Sequence, residues 1–137
     1  DLHKAIRRQR QMCIRDSQGT DQTYQLAKKY NVKLAWGTDL LFNPANTKNQ
    51  NQGILKLQKW FSNFEILKMV THDNAELLAL SGARNPYPGK LGSIEEGAWA
   101  DLILVDGDVL KDITLLGDPE RNFAMIMKGG TIYKNKI

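Results

Sequence analysis

The sequence has little cysteine and histidine and no long apolar run. Among its 137 residues are one cysteine, Cys13, and two histidines, His3 and His72. A single cysteine cannot form an intrachain disulfide, and these residues give no Cys/His cluster of structural zinc type. No apolar stretch approaches the roughly 20 residues of a membrane span, and the basic start lacks a signal peptide's apolar segment. We therefore expect a soluble chain without membrane partners, with a cytoplasmic location favoured.

The length sets a second limit. The chain is long enough for one ordinary core, but a complete barrel of strand-helix units typically needs about 250 residues. We therefore expect either one domain or a piece of a larger one.

Basic residues concentrate in the first 17 residues. This segment holds five basic and two acidic residues, and so accounts for three of the net charge of +4. A basic tail can bind nucleic acid through phosphate contacts. A nucleic-acid-binding or noncatalytic interaction module is therefore the alternative function, but no aromatic residues interleave these charges, so we expect no nucleic-acid partner.

Part of this segment has a different explanation. Residues 12–17, MCIRDS, match the translation of ATG TGT ATA AGA GAC AG, a transposon end attached to DNA fragments in sequencing libraries. The alternative is a natural basic helix, because the preceding residues are good helix formers. We favour the assembly scar, and we assign no function to residues 1–17.

A short apolar run follows the first helical pattern. Val32, Leu34, Ala35 and Trp36 predict a buried strand, which Gly37-Thr38-Asp39 ends. In barrels and open sheets of strand-helix units, the carboxyl ends of the strands carry the chemistry. Asp39 is therefore a candidate catalytic residue, and the alternative is a carboxylate that only caps a turn or helix.

Polar and helical segments occupy the middle of the chain. Residues 40–52 form a long Asn/Gln-rich loop, and such loops are often functional. Apolar spacing then predicts three helices, the second capped by Ser62 or Asn63 and the third by Thr71. His72 lies at a helix junction, where a surface or capping histidine is more typical than a metal ligand or a base.

The last third predicts a small β-structure. Residues 102–105, LILV, read as a strand bounded by acidic and glycine residues. Residues 123–127 and 131–133 form the arms of a hairpin that turns at Gly129-Gly130. No helix follows the two glycines, so a hairpin turn explains them better than a phosphate-binding loop.

Four motifs together resemble a known family. They are GTD (37–39), THDNAELLAL (71–80), LGSIEEGAWADLILVDGD (91–108) and IMKGGTIYKN (126–135). Their order is similar to the C-terminal part of metal-dependent amidohydrolases, and within them to the imidazolonepropionase-like branch that includes Xaa-Pro dipeptidases. The third motif is specific, because its glycines and Asp101 hold a fixed chain path, whereas GTD alone is not.

The resemblance implies an α/β fold that is part of a larger one. Full members have an eight-stranded TIM-like (β/α)8 barrel and a small composite β-sandwich. Residues 18–84 then correspond to the last helix-strand-helix part of the barrel, and residues 85–137 to the C-terminal part of the sandwich. The true N-terminus is expected to be missing, and residues 1–17 to be non-native.

The resemblance also implies a chemistry. Asp39 matches the family's metal-binding aspartate, which accepts the proton of the attacking water, and a divalent metal, expected to be zinc with one or two ions per full-length enzyme, activates that water. The implied reaction is hydrolysis of carbon-nitrogen bonds in a small amide, cyclic amide or dipeptide-like substrate. A homo-oligomer is left open for the full-length form.

The family's other metal ligands have no counterpart here. His3 has no histidine two residues away, and His72 lies on a helix, outside the family's metal-ligand positions. A catalytic zinc normally takes three protein ligands and a water. We therefore expect this chain alone to bind metal weakly and to be inactive, although the family is enzymatic.

Overall fold

The computed structural model describes residues 19–38, 40, 44–87 and 89–137. The chain divides into two compact units, the first ending at Lys33 and the second covering Leu34–Ile137. No helix in the described ranges is long and apolar enough to cross a membrane.

The described part of the first unit is one helix. Helix α1 occupies residues 19–29. Asn31 ends it with a φ of 51°, the left-handed conformation that asparagine tolerates. The backbone N–H of Val32 then donates to the Ala27 carbonyl at 2.8 Å, which closes the last turn.

The predicted strand at 32–36 is wrong for this chain. Residues 32–38 form no strand, and Val32 is 57% exposed. A strand needs a hydrogen-bonded neighbour, and none of the described strands lies beside this segment. The apolar residues of this run favour a strand, but no described strand lies beside it to share its backbone hydrogen bonds.

Short helices form the middle of the second unit. In chain order they are the 3-10 turn Pro44–Asn49, α2 (Gln52–Leu55), the 3-10 turn Lys56–Lys59, α3 (Asn63–Lys68), the π turn Met69–Asp73, α4 (Asn74–Ala79) and the 3-10 turn Gly82–Arg84. The predicted helices are present, but they are broken into shorter pieces than the apolar spacing suggests.

The two predicted helix caps have opposite outcomes. Ser62 caps α3 with a capping box, in which its hydroxyl accepts from the Glu65 N–H and the Glu65 carboxylate accepts from the Ser62 N–H. The cap predicted at Thr71 is wrong. Thr71 lies inside the π turn that joins α3 to α4, and its hydroxyl donates to the Leu67 carbonyl at 2.6 Å.

The C-terminal part forms a three-stranded antiparallel sheet in the order β1-β2-β3. Its strands are β1 (Leu102–Val105), β2 (Phe123–Lys128) and β3 (Thr131–Asn135). Between β1 and β2 lie the 3-10 turn Ile113–Gly117 and helix α5 (Pro119–Asn122). The predicted strand and hairpin are therefore confirmed.

The core of the second unit lies between the helices and the segment that precedes β2. Ile66 of α3 and Ile113 are fully buried. The side-chain amide of Asn51 donates to the Leu116 carbonyl at 2.8 Å, and that of Gln52 to the Gly117 carbonyl at 2.7 Å. These contacts hold α2 against the turn Ile113–Gly117. The remaining buried core residues of this unit are Ile54, Leu57, Phe61, Met69, Leu116 and Phe123.

Candidate functional site

Asp39, the predicted catalytic and metal-binding residue, lies outside the residues that the structure describes. Its neighbours Thr38 and Leu40 are described, and both line an open cleft of about 410 Å³ within the second unit. The predicted role of Asp39 therefore stays a prediction, but the chain on both sides of it borders a cavity large enough for a small molecule.

The long polar loop supplies the other side of this cleft. Among the described residues, the lining consists of Trp36, Gly37, Thr38, Leu40, Asn46, Asn49, Gln50, Gln52, Gly53 and Lys56. The described part of the loop thus borders the same cleft as the segment before Asp39. Sequence reasoning did not find Lys56, because its surroundings read only as the polar side of a core helix.

A side-chain amide fixes the segment that leads to Asp39. The Trp36 N–H donates to Asn74 Oδ1 at 2.8 Å, and Asn74 Nδ2 donates to the Trp36 carbonyl at 3.0 Å. In an antiparallel sheet, a residue on the neighbouring strand makes the same pair of bonds. The carboxamide of Asn74 therefore takes the place of a strand neighbour, and it joins the segment to the first residue of α4.

His72 belongs to a small charged cluster on the π turn. His72, Asp73 and Glu76 form the one group of three potential metal ligands within the described ranges, with one ligand atom from each within 4.8 Å of the others. The Asp73 carboxylate is bonded to Lys68 Nζ at 2.5 Å and lies 3.1 Å from His72 Nδ1. The His72 side chain is 49% exposed, which agrees with the predicted surface histidine.

The electrostatics of this cluster favour a charged Asp73. Burial raises the pKa of Asp73, but hydrogen bonds from Lys68 and His72, with the positive charges of both, outweigh it, so the pKa lies below its ordinary value. Asp73 is thus already bound to its neighbours. The arrangement is that of an ion-pair network on a helix.

The LGSIEEGAWADLILVDGD motif makes the backbone contacts that its residue types predict. The Asp101 carboxylate accepts from the Gly129 N–H at 2.6 Å, which ties the β2–β3 turn to the start of β1. Gly92 has a φ of 71°, and a Cβ atom there would lie 2.6 Å from the Thr71 carbonyl oxygen. The motif therefore fixes a chain path against α4 and the hairpin, and its role is structural.

Comparison with protein-family models and with curated proteins found no match. Solved structures do match. An amidohydrolase crystal structure is similar with a TM-score of 0.71 and 29% identity, over 85% of this chain and 26% of that one. A prolidase in complex with N-methylphosphonate-L-proline is similar with a TM-score of 0.69 and 27% identity, over 83% of this chain and 26% of that one. An A. niger ochratoxinase is similar with a TM-score of 0.65 and 25% identity, over 82% of this chain and 24% of that one.

The similarity covers most of this chain but only about a quarter of each of these structures. The resemblance to amidohydrolases that the sequence motifs predict is therefore confirmed. The chain has the fold of a portion of an amidohydrolase, and these neighbours place it with the hydrolases.

Proposed function

We propose that this chain is the C-terminal portion of a metal-dependent hydrolase that cleaves carbon-nitrogen bonds in amide, cyclic amide or dipeptide-like substrates. The observation that carries the proposal is the similarity to an amidohydrolase over 85% of the chain, at 29% identity. One of the similar structures is a prolidase, which supports the imidazolonepropionase-like branch with its Xaa-Pro dipeptidases.

The composition of the segment before Asp39 supports the proposed barrel assignment. Residues 32–36 have strand-forming side chains, and the Asn74 amide takes both backbone hydrogen-bonding groups of Trp36. In the complete enzyme this segment is the eighth barrel strand, α2 to α4 follow it, and β1 to β3 belong to the composite sandwich. Asp39 then stands at the carboxyl end of its strand, where barrel enzymes place chemistry.

The described residues that line the cleft do not fit a catalytic metal by themselves. The described cleft lining contains only neutral side chains and Lys56, and includes no imidazole, thiolate or carboxylate. Zinc at a catalytic site takes three such ligands. Asp39 is thus the one carboxylate that we assign to the metal, which we expect to be zinc, and the other ligands come from chain absent here. The isolated chain is therefore inactive.

The inactivity is tested on the 137-residue chain. We expect no stoichiometric zinc by elemental analysis and no hydrolysis of N-acyl amino acid or Xaa-Pro substrates. Stoichiometric zinc in the purified chain, or amidase activity that Asp39→Asn removes, would refute it.

The role of Asp39 is tested in the full-length protein that carries this segment. Asp39→Asn should lower kcat/KM by about 10²- to 10⁴-fold, the usual contribution of a general base. The matched control is Asp106→Asn, which neutralises a carboxylate next to β1. Equal effects of the two substitutions would contradict the role of Asp39.

A further inference from the structure

The side chain of Asn74 makes three hydrogen bonds to backbone groups. Its Oδ1 accepts from the Trp36 N–H at 2.8 Å, and its Nδ2 donates to the Trp36 carbonyl at 3.0 Å and to the Val70 carbonyl at 3.4 Å. A carboxamide has one accepting and one donating end, so it can make both bonds to Trp36 in only one orientation. The Trp36 backbone is therefore fixed in one position relative to the start of α4.

The side chain of Trp36 is held by a second helix. Its indole lies against Gly53 of α2, where a Cβ atom would stand 3.1 Å from the ring atom Cζ2. A glycine at this position lets the ring approach the helix backbone closely. Trp36 is thus held at its backbone by α4 and at its ring by α2, both within the second unit.

The helical turn that carries Asn74 is itself packed against another segment. A Cβ atom at Gly92 would stand 2.6 Å from the Thr71 carbonyl oxygen and 2.9 Å from the Ala75 Cβ. The segment before β1 therefore lies directly against residues that precede and follow Asn74. The position of the Asn74 amide is set by this packing as well as by its own hydrogen bonds.

Only Gly37 and Thr38 separate Trp36 from Asp39 in the sequence. Because each trans peptide unit has a fixed length, a shift of Trp36 is passed along this short link. We propose that Asn74 is a positioning residue for the hydrolytic reaction, which sets the place of the Asp39 carboxylate through the backbone of Trp36. The inference rests on the proposed function, because it takes Asp39 as the group that accepts the proton of the attacking water. It also gives a role to the THDNAELLAL motif.

The test is Asn74→Ala in the full-length protein that carries this segment. A misplacement of about 1 Å can cost about 10²-fold in rate, so we expect kcat/KM to fall by about 10- to 100-fold. The loss should appear in kcat, with KM changed by less than about twofold, because a misplaced base weakens the transition state and leaves substrate binding intact. It should not exceed the loss caused by Asp39→Asn.

Asn63→Ala is the matched control. The Asn63 side-chain amide also makes two hydrogen bonds to distant backbone groups, donating to the Leu110 carbonyl at 3.0 Å and to the Lys111 carbonyl at 3.1 Å. Its removal deletes the same chemical group from the same unit without touching Trp36. We expect kcat/KM of Asn63→Ala to change by less than about twofold. Equal kinetic losses in the two variants would show a general effect of destabilisation and overturn the proposal.

A double-mutant cycle with Asp39→Asn shows whether Asn74 acts through Asp39. When the base is already removed, Asn74→Ala should lower the remaining rate by less than about twofold, because there is no base left to position. A full additional loss of about 10- to 100-fold in the double variant would show that Asn74 acts independently of Asp39 and would refute the proposal.

Hydrogen exchange of the Trp36 amide in the 137-residue chain gives a readout without catalysis. Exchange should accelerate in Asn74→Ala, beyond the change in overall stability, and not in Asn63→Ala. If full-length Asp39→Asn keeps its hydrolytic rate, the proposed function fails, whatever the exchange result. If Asp39→Asn abolishes hydrolysis while Asn74→Ala retains the wild-type kcat, the positioning role fails and the proposed function remains.

Discussion

Replacing Asn74 by alanine tests how the segment before Asp39 is held. The substitution deletes the hydrogen bonds of 2.8 and 3.0 Å to the backbone of Trp36. Each such bond contributes about 1 kcal/mol net. Because the contact is only partly buried, water replaces some of the loss, and we expect the free energy of unfolding to fall by about 1–2 kcal/mol.

Two measurements separate this local effect from a general one. Urea unfolding reports the total loss, and residue-resolved hydrogen exchange reports the Trp36 amide itself. We expect Trp36 exchange to accelerate by about tenfold, which corresponds to 1.4 kcal/mol. Asn74→Asp is the matched variant, because it keeps an acceptor for the Trp36 N–H and places a carboxylate against the Trp36 carbonyl.

The pattern of exchange decides the outcome. The amides of β2 and β3 should change only by the difference in overall stability. If Trp36 exchanges equally fast in the wild type and in Asn74→Ala, the amide does not hold this segment, and the positioning role of Asn74 is wrong.

Two further substitutions probe the surroundings of this contact. Gly92→Ala should lower the free energy of unfolding by about 1–2 kcal/mol, because alanine disfavours the left-handed backbone conformation of this residue. The steric clash adds a further loss, because the new Cβ would stand 2.6 Å from the Thr71 oxygen. Asp73→Asn should make the free energy of unfolding depend less strongly on pH in the acid range. The native pKa of Asp73 is lowered, so its contribution is present above the ordinary aspartate pKa and is lost as the pH falls through the lower native value.

Each of these predictions has a control. Gly97 has a φ of 84°, but open space surrounds the position of an added Cβ. Gly97→Ala therefore measures the cost of the backbone conformation alone. Equal urea midpoints for Gly92→Ala and Gly97→Ala would contradict the steric reasoning. For Asp73, thermal unfolding between pH 2 and pH 6 is compared with Glu96→Gln, an exposed substitution. If Asp73→Asn and Glu96→Gln change the pH dependence of thermal unfolding equally, Asp73 has no specific role in it.

Local signals allowed much of the fold to be predicted. The β2–β3 hairpin needs only neighbouring residues, since Gly129 and Gly130 take positive φ values of 54° and 79°. The Ser62 cap also depends on contacts within a few residues. The Asp101 contact was expected from the motif, although the bond to Gly129 joins residues far apart in sequence.

Contacts between residues far apart in the sequence explain the features that the sequence did not predict. The strand predicted at 32–36 depends on neighbouring strands, which the residues of the segment cannot reveal. The contact between Trp36 and Asn74 spans 38 positions, and no local pattern marks a carboxamide as a backbone partner. Thr71 has the composition of a cap, but tertiary packing continues the chain through it into α4. Lys56 lines the same cleft as Trp36, and the spacing of apolar residues around Lys56 does not reveal this neighbour.

The wide turn at Met69–Asp73 links these observations. A π turn accommodates one more residue than a regular helical turn. Were it to rewind into an ordinary α-helix, everything after it would swing about the axis by about 100°, and Asn74 would leave Trp36. The pair of Asn74 hydrogen bonds to Trp36 therefore depends on the extra residue in this turn.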